Sequence, residues 1–459
     1  MESSGSTPAT AVIKSMTTAF QHELRGNIPI GNSWIPRGHT EKHIEIIGGS
    51  GQGKTTLAEW LMLGILERHD TGLLLIDPTG HSVKKYLGWL AEGRIQKPCY
   101  LVDPSGPVLR YNPLAVEKEP KTLASHVAGL FESLHLIQSD SAPSQHRQMR
   151  KFVTAALRAL IECDLTLADA YWWLTDESFR ARHIGKVTHP ETKSEWQREP
   201  SKSDLRSTEN WFAAFWEHDW LKGMYSGNGF DWKTVYDEQA IVLVNLSPLA
   251  GSLIYSKAVA AMFLTGLLNH ARNADHTKRW YAVIDDATDY TPAHAVQLLT
   301  LGRHFDLFLA LIHHQDFPGS FQAAVDVGCR TKFIFGDVPK QYQRVETVSP
   351  EWIVRKSRSW VGPDGSKVTA TRRTEPLRIE IVPAFLPAYR CLYVFDGRVR
   401  GILNLDPTPE SSEGGDEFKA TIYSHPWYGE TKREEPGRKD RPPHQKPTGP
   451  PPLTGRRGK

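Results

Sequence analysis

The stretch IEIIGGSGQGKTTLAEW, residues 44–60, constrains the fold more than any other part of the sequence. Its mostly apolar beginning predicts a strand, the glycines predict a tight turn, and the pattern after Lys54 predicts a helix. Gly48, Gly53, Lys54 and Thr55 fit the spacing G-x-x-x-x-G-K-S/T. In this strand, turn and helix context the motif is typical of a loop that binds phosphate groups, rather than of a simple glycine-rich connection.

The residue types of this loop suit a nucleoside triphosphate. Glycines lack Cβ, so consecutive backbone N–H groups can converge on phosphate oxygens, and the positive end of the helix dipole adds to the attraction. Lys54 brings a charge to the β- and γ-phosphates, and the Thr55 hydroxyl can ligate Mg²⁺. The predicted binding residues are Gly48, Gly49, Ser50, Gly51, Gln52, Gly53, Lys54, Thr55 and Thr56.

Short runs rich in Val, Ile and Leu recur along the chain and end at an acid, a Gly or a Pro. They predict strands that are buried on both faces. Helical patterns separate several of these runs, which favours an α/β fold with a mostly parallel sheet. The runs are HIEIIGG, GLLLIDP, CYLVDP, AIVLVNL, WYAVIDD, LFLALIHH and TKFIFG, followed by the closing β segments LRIEIVP, RCLYVFDG and VRGILNLDP.

The strand pattern disappears between about residues 119 and 235, where helical segments predict an inserted all-α subdomain. Trp211, Phe212, Phe215 and Trp216 fall at helical spacing in this region; we expect them to pack in a core, with stacking on nucleic-acid bases as the alternative. Residues 1–26 are predicted to be flexible. From residue 407 the chain is rich in Pro, Gly and charged residues, which predicts a disordered tail to residue 459.

Composition limits the functional classes. The 459 residues carry a net charge of +3, too small to mark the whole chain as a nucleic-acid binder, so any such surface must be local. The sequence has neither a membrane-length apolar run nor a signal peptide, which predicts a cytoplasmic protein. The four cysteines lie far apart without a C-x-x-C pair, so neither a zinc site nor a disulfide framework is indicated.

Two adjacent acids follow the apolar run WYAVI. A phosphate-binding loop needs a metal-orienting acid at the end of a neighbouring strand, and Asp285 is the candidate for that Mg²⁺ role. Asp286 would then polarise the attacking water, although its side chain is one methylene shorter than the usual glutamate. The alternative is that both acids merely cap a strand, as other apolar runs also end in aspartate.

The segment LLTLGRHFDLFLALIHHQ supplies two further candidates. Gln315 follows a strand and could sense the γ-phosphate, while Arg303 precedes the strand and could reach the nucleotide of a neighbouring subunit. Each residue alone could equally be a loop amide or a surface charge. His313 and His314 do not indicate a metal site, because adjacent residues of a strand face opposite ways.

Taken in order, these blocks resemble the type IV secretion coupling proteins, conjugative DNA-transfer ATPases of the FtsK/HerA-like translocase superfamily. The resemblance spans roughly residues 27 to 405. It rests on the blocks NIPIGNSW, GGSGQGKTT, LLLIDPTGH, DPSGPVLRYNPL, IVLVNLSPL, VIDDATDY and LGRHFDLFLALIHHQ, together with the helical insertion.

The resemblance implies a RecA-like core formed by residues 27–118 and 236–406, with the all-α insertion at 119–235. It implies a homo-hexameric ring that moves DNA with ATP and Mg²⁺, and that works with membrane-bound secretion or relaxosome proteins at the inner membrane. Lys54 and Thr55 match the Walker A positions, Asp285 the Walker B position, Gln315 the sensor and Arg303 the arginine that acts in trans. Two departures are the Asp at 286, where Glu is common, and the absence of initial transmembrane helices from this sequence.

Two other functions stay open from the sequence. The same core could move or assemble protein, or it could be a nucleotide-gated scaffold in which Asp286 does not support turnover. Candidate DNA contacts at Lys84, Lys85, Arg372 and Arg373 read equally well as solvated charges.

Overall fold

The computed structural model describes residues 27–30, 33–67, 71–116, 119–135, 143–198, 202–290, 295–338, 342, 345–355, 359–361, 367–369, 374–381, 383, 386–410 and 414–429. The predicted flexible N-terminus, the part of the predicted tail beyond residue 429, and Arg372 and Arg373 lie outside these residues.

The apolar runs of the sequence form strands, and most of those in the central sheet are fully buried. The strands are β1 (Ile28–Ile30), β2 (Ser33–Ile35), β3 (Ile44–Ile47), β4 (Gly72–Asp77), β5 (Cys99–Val102), β6 (Val108–Leu109), β7 (Ile241–Asn245), β8 (Trp280–Ile284), β9 (Leu307–His313), β10 (Thr331–Ile334), β11 (Val345–Arg355), β12 (Ser359–Val361), β13 (Lys367–Thr369), β14 (Thr374–Ile381), β15 (Arg390–Phe395), β16 (Arg398–Asn404) and β17 (Tyr428–Gly429).

Helices connect the strands and make up the insertion. The α-helices are Arg37–Thr40, Lys54–Leu66, His81–Ala91, Pro120–His135, Pro143–Glu162, Ala170–Thr175, Glu177–His183, Pro190–Gln197, Lys202–Phe212, Asp219–Tyr225, Trp232–Asp237, Leu253–Asn273, Ala287–Tyr290, Ala295–Leu301, Gly319–Gly328 and Gly415–Tyr423. Short 3₁₀ turns lie at Leu167–Asp169, Ile184–Lys186, Ala213–Phe215, Ser247–Leu249 and Gly302–Phe305.

A nine-stranded sheet in the order β16-β15-β10-β3-β9-β8-β4-β7-β5 forms the centre of the molecule. The strands from β10 to β5 in this order are all parallel, and β15 and β16 extend the sheet as antiparallel strands. The structure therefore confirms the predicted α/β class. Because parallel strands end at the same edge of a sheet, the loop after β3 and the residues after β4, β8 and β9 share that edge. We call it the carboxyl edge.

The segment in which the sequence predicts an all-α insertion is helical in its described residues, and it shares its core with the sheet. Between β6 and β7 the described residues form only helices and turns. Val153 and Trp173 of the insertion, Phe263 of the helix Leu253–Asn273, and Val244 of β7 belong to one continuous apolar core. The insertion is thus packed onto one face of the sheet, while the helix Lys54–Leu66 and β3 contribute to a second core on the other face.

The aromatic residues of the insertion pack as expected. Phe212 and Phe215 are fully buried, and Trp216 is partly buried against the same core. Burial of a side chain of this size contributes roughly 1.5–3 kcal/mol. Because the rings of Phe212 and Phe215 face the interior, they cannot stack on nucleic-acid bases. The side chain of Trp211 lies outside the described part of the chain.

The prediction of a disordered tail from residue 407 is wrong for residues 414–429. The helix Gly415–Tyr423 packs on the helix His81–Ala91, and β17 pairs with β6. The Trp427 ring stacks on Tyr100 with 4.9 Å between centroids. The physical reason is that aromatic residues between the prolines and glycines find apolar partners on the sheet edge, which average composition does not reveal.

Tyr428 binds the edge strand directly. β5 is the last strand of the sheet, so no strand of the described residues pairs with its outer backbone groups. The Tyr428 hydroxyl accepts a hydrogen bond from Leu101 N at 2.7 Å and donates one to Leu101 O at 3.1 Å. One side chain therefore satisfies a donor and an acceptor of the exposed edge.

No helix in the described part of the chain combines the length and the apolar character needed to cross a lipid bilayer.

We expect Tyr428→Phe to destabilise the protein by about 1–3 kcal/mol, because it leaves two backbone groups of β5 without their partner. Urea unfolding measures the change. Tyr171→Phe is the control, since the Tyr171 ring packs on Trp172 and Trp216 and losing its hydroxyl should change stability by less than about 0.5 kcal/mol. Equal effects of the two changes would show that the edge contact is not stabilising.

Candidate nucleotide-binding site

The loop after β3 has the conformation that a phosphate-binding turn requires. Gly51 and Gly53 have φ values of 72° and 101°, in the left-handed region that favours glycine. The helix begins at Lys54, directly after Gly53. Backbone N–H groups at the start of a helix have no intrahelical partner, so they are free to bind an anion.

The first two glycines of the loop are required by close packing. A Cβ on Gly48 would lie 2.5 Å from Phe335 Cβ, and one on Gly49 would lie 2.6 Å from Asp337 Oδ2. Gly49 N also donates to Gly336 O at 3.0 Å. The segment after β10 thus supports the loop from the side. The sequence motif gives the glycines, but it does not reveal this partner segment.

Lys54 is folded over the loop. Its Nζ donates a hydrogen bond to Gly49 O at 2.8 Å. Burial lowers the pKa of Lys54, and the nearby carboxylates of Asp285 and Asp286 partly offset this effect. The ammonium group therefore lies between the backbone of the loop and the two acids.

The two predicted metal ligands are brought together. Thr55 Oγ1 donates to Asp285 Oδ2 at 3.3 Å. Thr55 lies at the start of the helix after β3, and Asp285 directly follows β8; these two strands lie on either side of β9. A hydroxyl and a carboxylate are oxygen ligands of the kind that Mg²⁺ prefers, so this pair fits the ion chemically.

Asp285 lies among other carboxylates. Burial raises the pKa of Asp285 to about 6, with further contributions from the charges of Asp286 and Asp77. A nearby cation stabilises the ionised form of a carboxyl group whose pKa is raised by burial and by like charges. The site therefore has a local excess of negative charge that a divalent cation would relieve.

Asp77 is a site residue that we did not select from the sequence. It ends β4, and its carboxylate accepts hydrogen bonds from Gly80 N at 2.8 Å and Val83 N at 2.9 Å. It therefore caps the turn into the helix His81–Ala91 while adding charge near Asp285. The available signal was that the run LLLID ends in an acid, but the sequence does not show that β4 lies beside β8.

Asp286 is positioned by an unusual backbone conformation. Its φ is 49°, a left-handed value that aspartate tolerates better than most residues. Its Oδ1 lies 3.6 Å from Nδ1 of His314, and both side chains are about half exposed, at 44% and 47%. The acid is therefore accessible at the carboxyl edge, where water can reach it.

Gln315 lies at the same edge. Its Nε2 donates to Thr288 Oγ1 at 3.4 Å, three residues after Asp285, and its side chain is exposed. His313, two residues earlier, is instead fully buried at the end of β9. The structure thus places Gln315 beside the helix Ala287–Tyr290, which directly follows Asp285 and Asp286.

Arg303 is not brought to the site within one chain. It precedes β9, whereas the site lies beyond the other end of that strand, which is about 20 Å away for seven residues. Near Arg303, burial and the charge of this arginine lower the pKa of His43, at the start of β3, to about 3. Contact between Arg303 and a nucleotide would need a second chain, so its role in trans stays a prediction.

One of the lysines considered for DNA contact has a structural partner. Lys85 Nζ lies 2.6 Å from Oε2 of the buried Glu59 and 2.8 Å from Thr408 Oγ1. It therefore joins two helices to the segment after β16 rather than offering a free charge. Lys84 is exposed.

Comparison with solved structures shows what this fold is similar to. The unbound form of the bacterial conjugative coupling protein TrwBΔN70 aligns with a TM-score of 0.59 at 11% identity, covering 84% of this chain and 90% of that chain. The plasmid coupling protein TrwB in complex with ADP and Mg²⁺ aligns with a TM-score of 0.56 at 14% identity, covering 84% and 91%. VirB4 of Thermoanaerobacter pseudethanolicus aligns with a TM-score of 0.51 at 13% identity, covering 80% and 90%.

These similarities confirm the predicted RecA-like P-loop fold and, at the level of the fold, the resemblance to coupling proteins. No protein-family model matches the sequence, and no curated protein matches it. At such low identity the likeness concerns the fold alone.

We expect Asp285→Asn to stabilise the protein in the absence of nucleotide and Mg²⁺. A carboxyl group whose pKa is raised from 3.8 to about 6 on folding contributes stability at low pH and loses it as the pH rises between these values. Removing the charge should raise the free energy of unfolding by up to about 3 kcal/mol at pH 8, less where solvent reaches the side chain, and by roughly half as much at pH 5.

Urea unfolding at the two pH values measures this dependence. Asp77→Asn is the matched control, because it weakens the cap of the following turn and should lower stability at both pH values. A gain for Asp285→Asn that is the same at pH 5 and pH 8 would contradict the raised pKa.

Proposed function

We propose that this chain is a P-loop ATPase of a conjugative or type IV secretion-like system, which hydrolyses ATP in a ring to move DNA. The observation that carries the proposal is the contact of Thr55 with Asp285 at 3.3 Å, beside a glycine loop over which Lys54 is folded. The fold similarity to TrwB, which has been solved with ADP and Mg²⁺, and to VirB4 supports it.

In this proposal the loop holds the triphosphate. The backbone N–H groups from Ser50 to Thr56 donate to phosphate oxygens, since those of Gly48 and Gly49 already donate to His313 O and Gly336 O. Lys54 moves from Gly49 O to the β- and γ-phosphates. Thr55 and Asp285 hold Mg²⁺, which supplies charge neutralisation at the phosphates. The excess of carboxylates around Asp285 favours this ion over a neutral ligand.

Asp286 and Gln315 act on the water. Asp286 polarises the attacking water, and its short, half-exposed side chain fits an arrangement in which a second water relays the proton. Gln315 lies beside Thr288 and senses the γ-phosphate from the end of β9. The distance from Asp286 to His314 leaves the acid free of a tight ion pair.

Arg303 completes the site of a neighbouring subunit. It lies at the end of the sheet opposite its own loop, which suits a ring in which one chain presents its arginine to the nucleotide of the next. A homo-hexamer is the assembly in this proposal. DNA bound through phosphate contacts is the cargo, and secretion or relaxosome proteins of the inner membrane recruit the motor from the cytoplasm.

ATP turnover of the purified chain should exceed that of Lys54→Ala by at least about tenfold, and DNA at modest salt should stimulate it. Phosphate release with and without single- or double-stranded DNA, together with mass measurement of the assembly, checks both points. A DNA-stimulated hexamer supports the translocase.

Other outcomes favour the alternatives. ATP turnover that does not change with DNA but rises with a protein partner indicates a motor that moves or assembles protein. Turnover no higher than that of Lys54→Ala indicates a nucleotide-gated scaffold, and Asp286→Glu then tests whether a longer carboxylate restores hydrolysis.

Mixing two inactive variants tests Arg303 in trans. Arg303→Ala keeps an intact loop and Lys54→Ala keeps an intact arginine, so a mixed ring contains some interfaces with both groups. We expect each variant alone to lose about 100-fold or more in activity and the mixture to recover a measurable part. No recovery, in rings shown by mass to be mixed, would contradict the role in trans.

A further inference from the structure

A cluster of charged side chains is buried beneath the carboxyl edge. Glu45 of β3 and His313 of β9 are both fully inaccessible to solvent, with exposures of 0%. His313 Nε2 lies 3.1 Å from Glu45 Oε1, and the Tyr342 hydroxyl donates to the same oxygen at 2.7 Å. Lys332 lies opposite Glu45 in the register of β10 and β3, with Nζ 2.6 Å from Oε2.

Glu45 is ionised in this cluster. Burial alone would raise its pKa, but the hydrogen bond from His313 and the charges of Lys332 and His313 outweigh burial and lower the pKa to about 2. The carboxylate therefore only accepts hydrogen bonds. Each donor that faces it must carry its proton on the facing atom.

His313 is oriented by two acceptors at once. Nε2 faces the Glu45 carboxylate, and Nδ1 lies 2.8 Å from the backbone carbonyl oxygen of Gln315. Because a carbonyl oxygen can only accept, Nδ1 donates to Gln315 O, and Nε2 faces Glu45 Oε1 on the other side of the ring. The ring also packs on Phe317 with 4.6 Å between centroids.

This arrangement fixes the chain directly after β9. His313 is the last residue of the strand, and the turn brings the carbonyl of Gln315 back onto its ring. The position of that carbonyl determines where the exposed Gln315 side chain leaves the backbone, beside Thr288 and close to Asp285. Glu45 in turn lies in the strand that leads into the phosphate-binding loop.

We propose that Glu45 and His313 are positioning residues that hold Gln315 in register with the phosphate-binding loop, with His313 as the link between the two strands. The inference rests on the proposed ATPase function and deepens it. Glu45 orients the imidazole from β3, and the imidazole fixes the Gln315 backbone from β9. Neither side chain touches the nucleotide.

Two amide substitutions separate the two contacts of the ring. The amide of His313→Asn can replace Nδ1 as a donor to Gln315 O but does not reach Glu45. The amide of His313→Gln can replace Nε2 as a donor to Glu45 but does not hold the Gln315 carbonyl. We therefore expect His313→Gln to lower kcat about tenfold or more. His313→Asn keeps the contact with the Gln315 carbonyl and loses only the orientation by Glu45, so it should lower kcat by about threefold. KM for ATP should stay within about twofold in both.

Stability should follow the opposite order. His313→Asn removes one of the donors to the buried Glu45 carboxylate, so its Tm should fall further than that of His313→Gln. A purely structural histidine would give kcat losses that follow the Tm losses. Measuring kcat, KM and Tm for both variants, well below either Tm, distinguishes the two roles.

Further variants complete the test. Gln315→Ala combined with His313→Gln should be no slower than Gln315→Ala alone, because the two residues act as one unit. Lys332 contacts Glu45 but not Gln315. Lys332→Met should therefore lower Tm with little change in kcat. If the His313 variants do not fold, Glu45→Gln, which keeps an acceptor and the side-chain volume, should lower kcat with KM unchanged.

The outcomes separate this inference from the function it rests on. A wild-type chain without ATP turnover overturns the proposed function, and with it the role of the pair. A wild-type chain that hydrolyses ATP, with kcat following Tm across the variants or with additive losses in the double variant, overturns the positioning role alone.

Discussion

Three carboxylates lie close together at the carboxyl edge of the sheet, two of them near the Lys54 ammonium, and the site depends on this excess of negative charge. Asp77, Asp285 and Asp286 end two adjacent parallel strands, and their mutual repulsion and burial raise the pKa of Asp285. The Lys54 ammonium lies near Asp285 and Asp286, and burial lowers its own pKa. Such a cluster is destabilising in isolation, and a cation bound among the carboxylates would stabilise it.

Much of this arrangement could be predicted from the sequence, because its signals are local. The loop motif fixes Lys54 and Thr55, and an apolar run ending in two acids marks Asp285 and Asp286. Strand order is not local. Asp77 approaches Asp285 because β4 lies beside β8, and Glu45 meets His313 because β3 lies between β9 and β10. In the sequence of a single strand, Asp77 is only an acid at the strand end, and Glu45 and His313 are only polar residues within apolar runs.

The ordered segment at residues 414–429 shows the same limit in another form. Its prolines, glycines and charges lower the average hydropathy, yet Tyr428 and Trp427 bind particular groups of the edge strand and of Tyr100. Whether an aromatic residue orders a polar segment depends on the partner surface, which exists only after β5 has taken its place at the end of the sheet. Amino-acid composition reflects the entropic cost of ordering the segment, but it does not reveal the surface on which the segment packs.

Burying Glu45, His313 and Lys332 together needs an explanation beyond stability. Taking charged groups out of water costs several kcal/mol each, and apolar residues of similar volume often stabilise a core equally well. What apolar side chains cannot do is fix one orientation of a backbone carbonyl, whereas an imidazole held between Glu45 and Gln315 O has only one arrangement that satisfies both nitrogens. The cluster therefore fixes the chain at the end of β9, and with it the point at which the Gln315 side chain leaves the backbone, at a cost in stability.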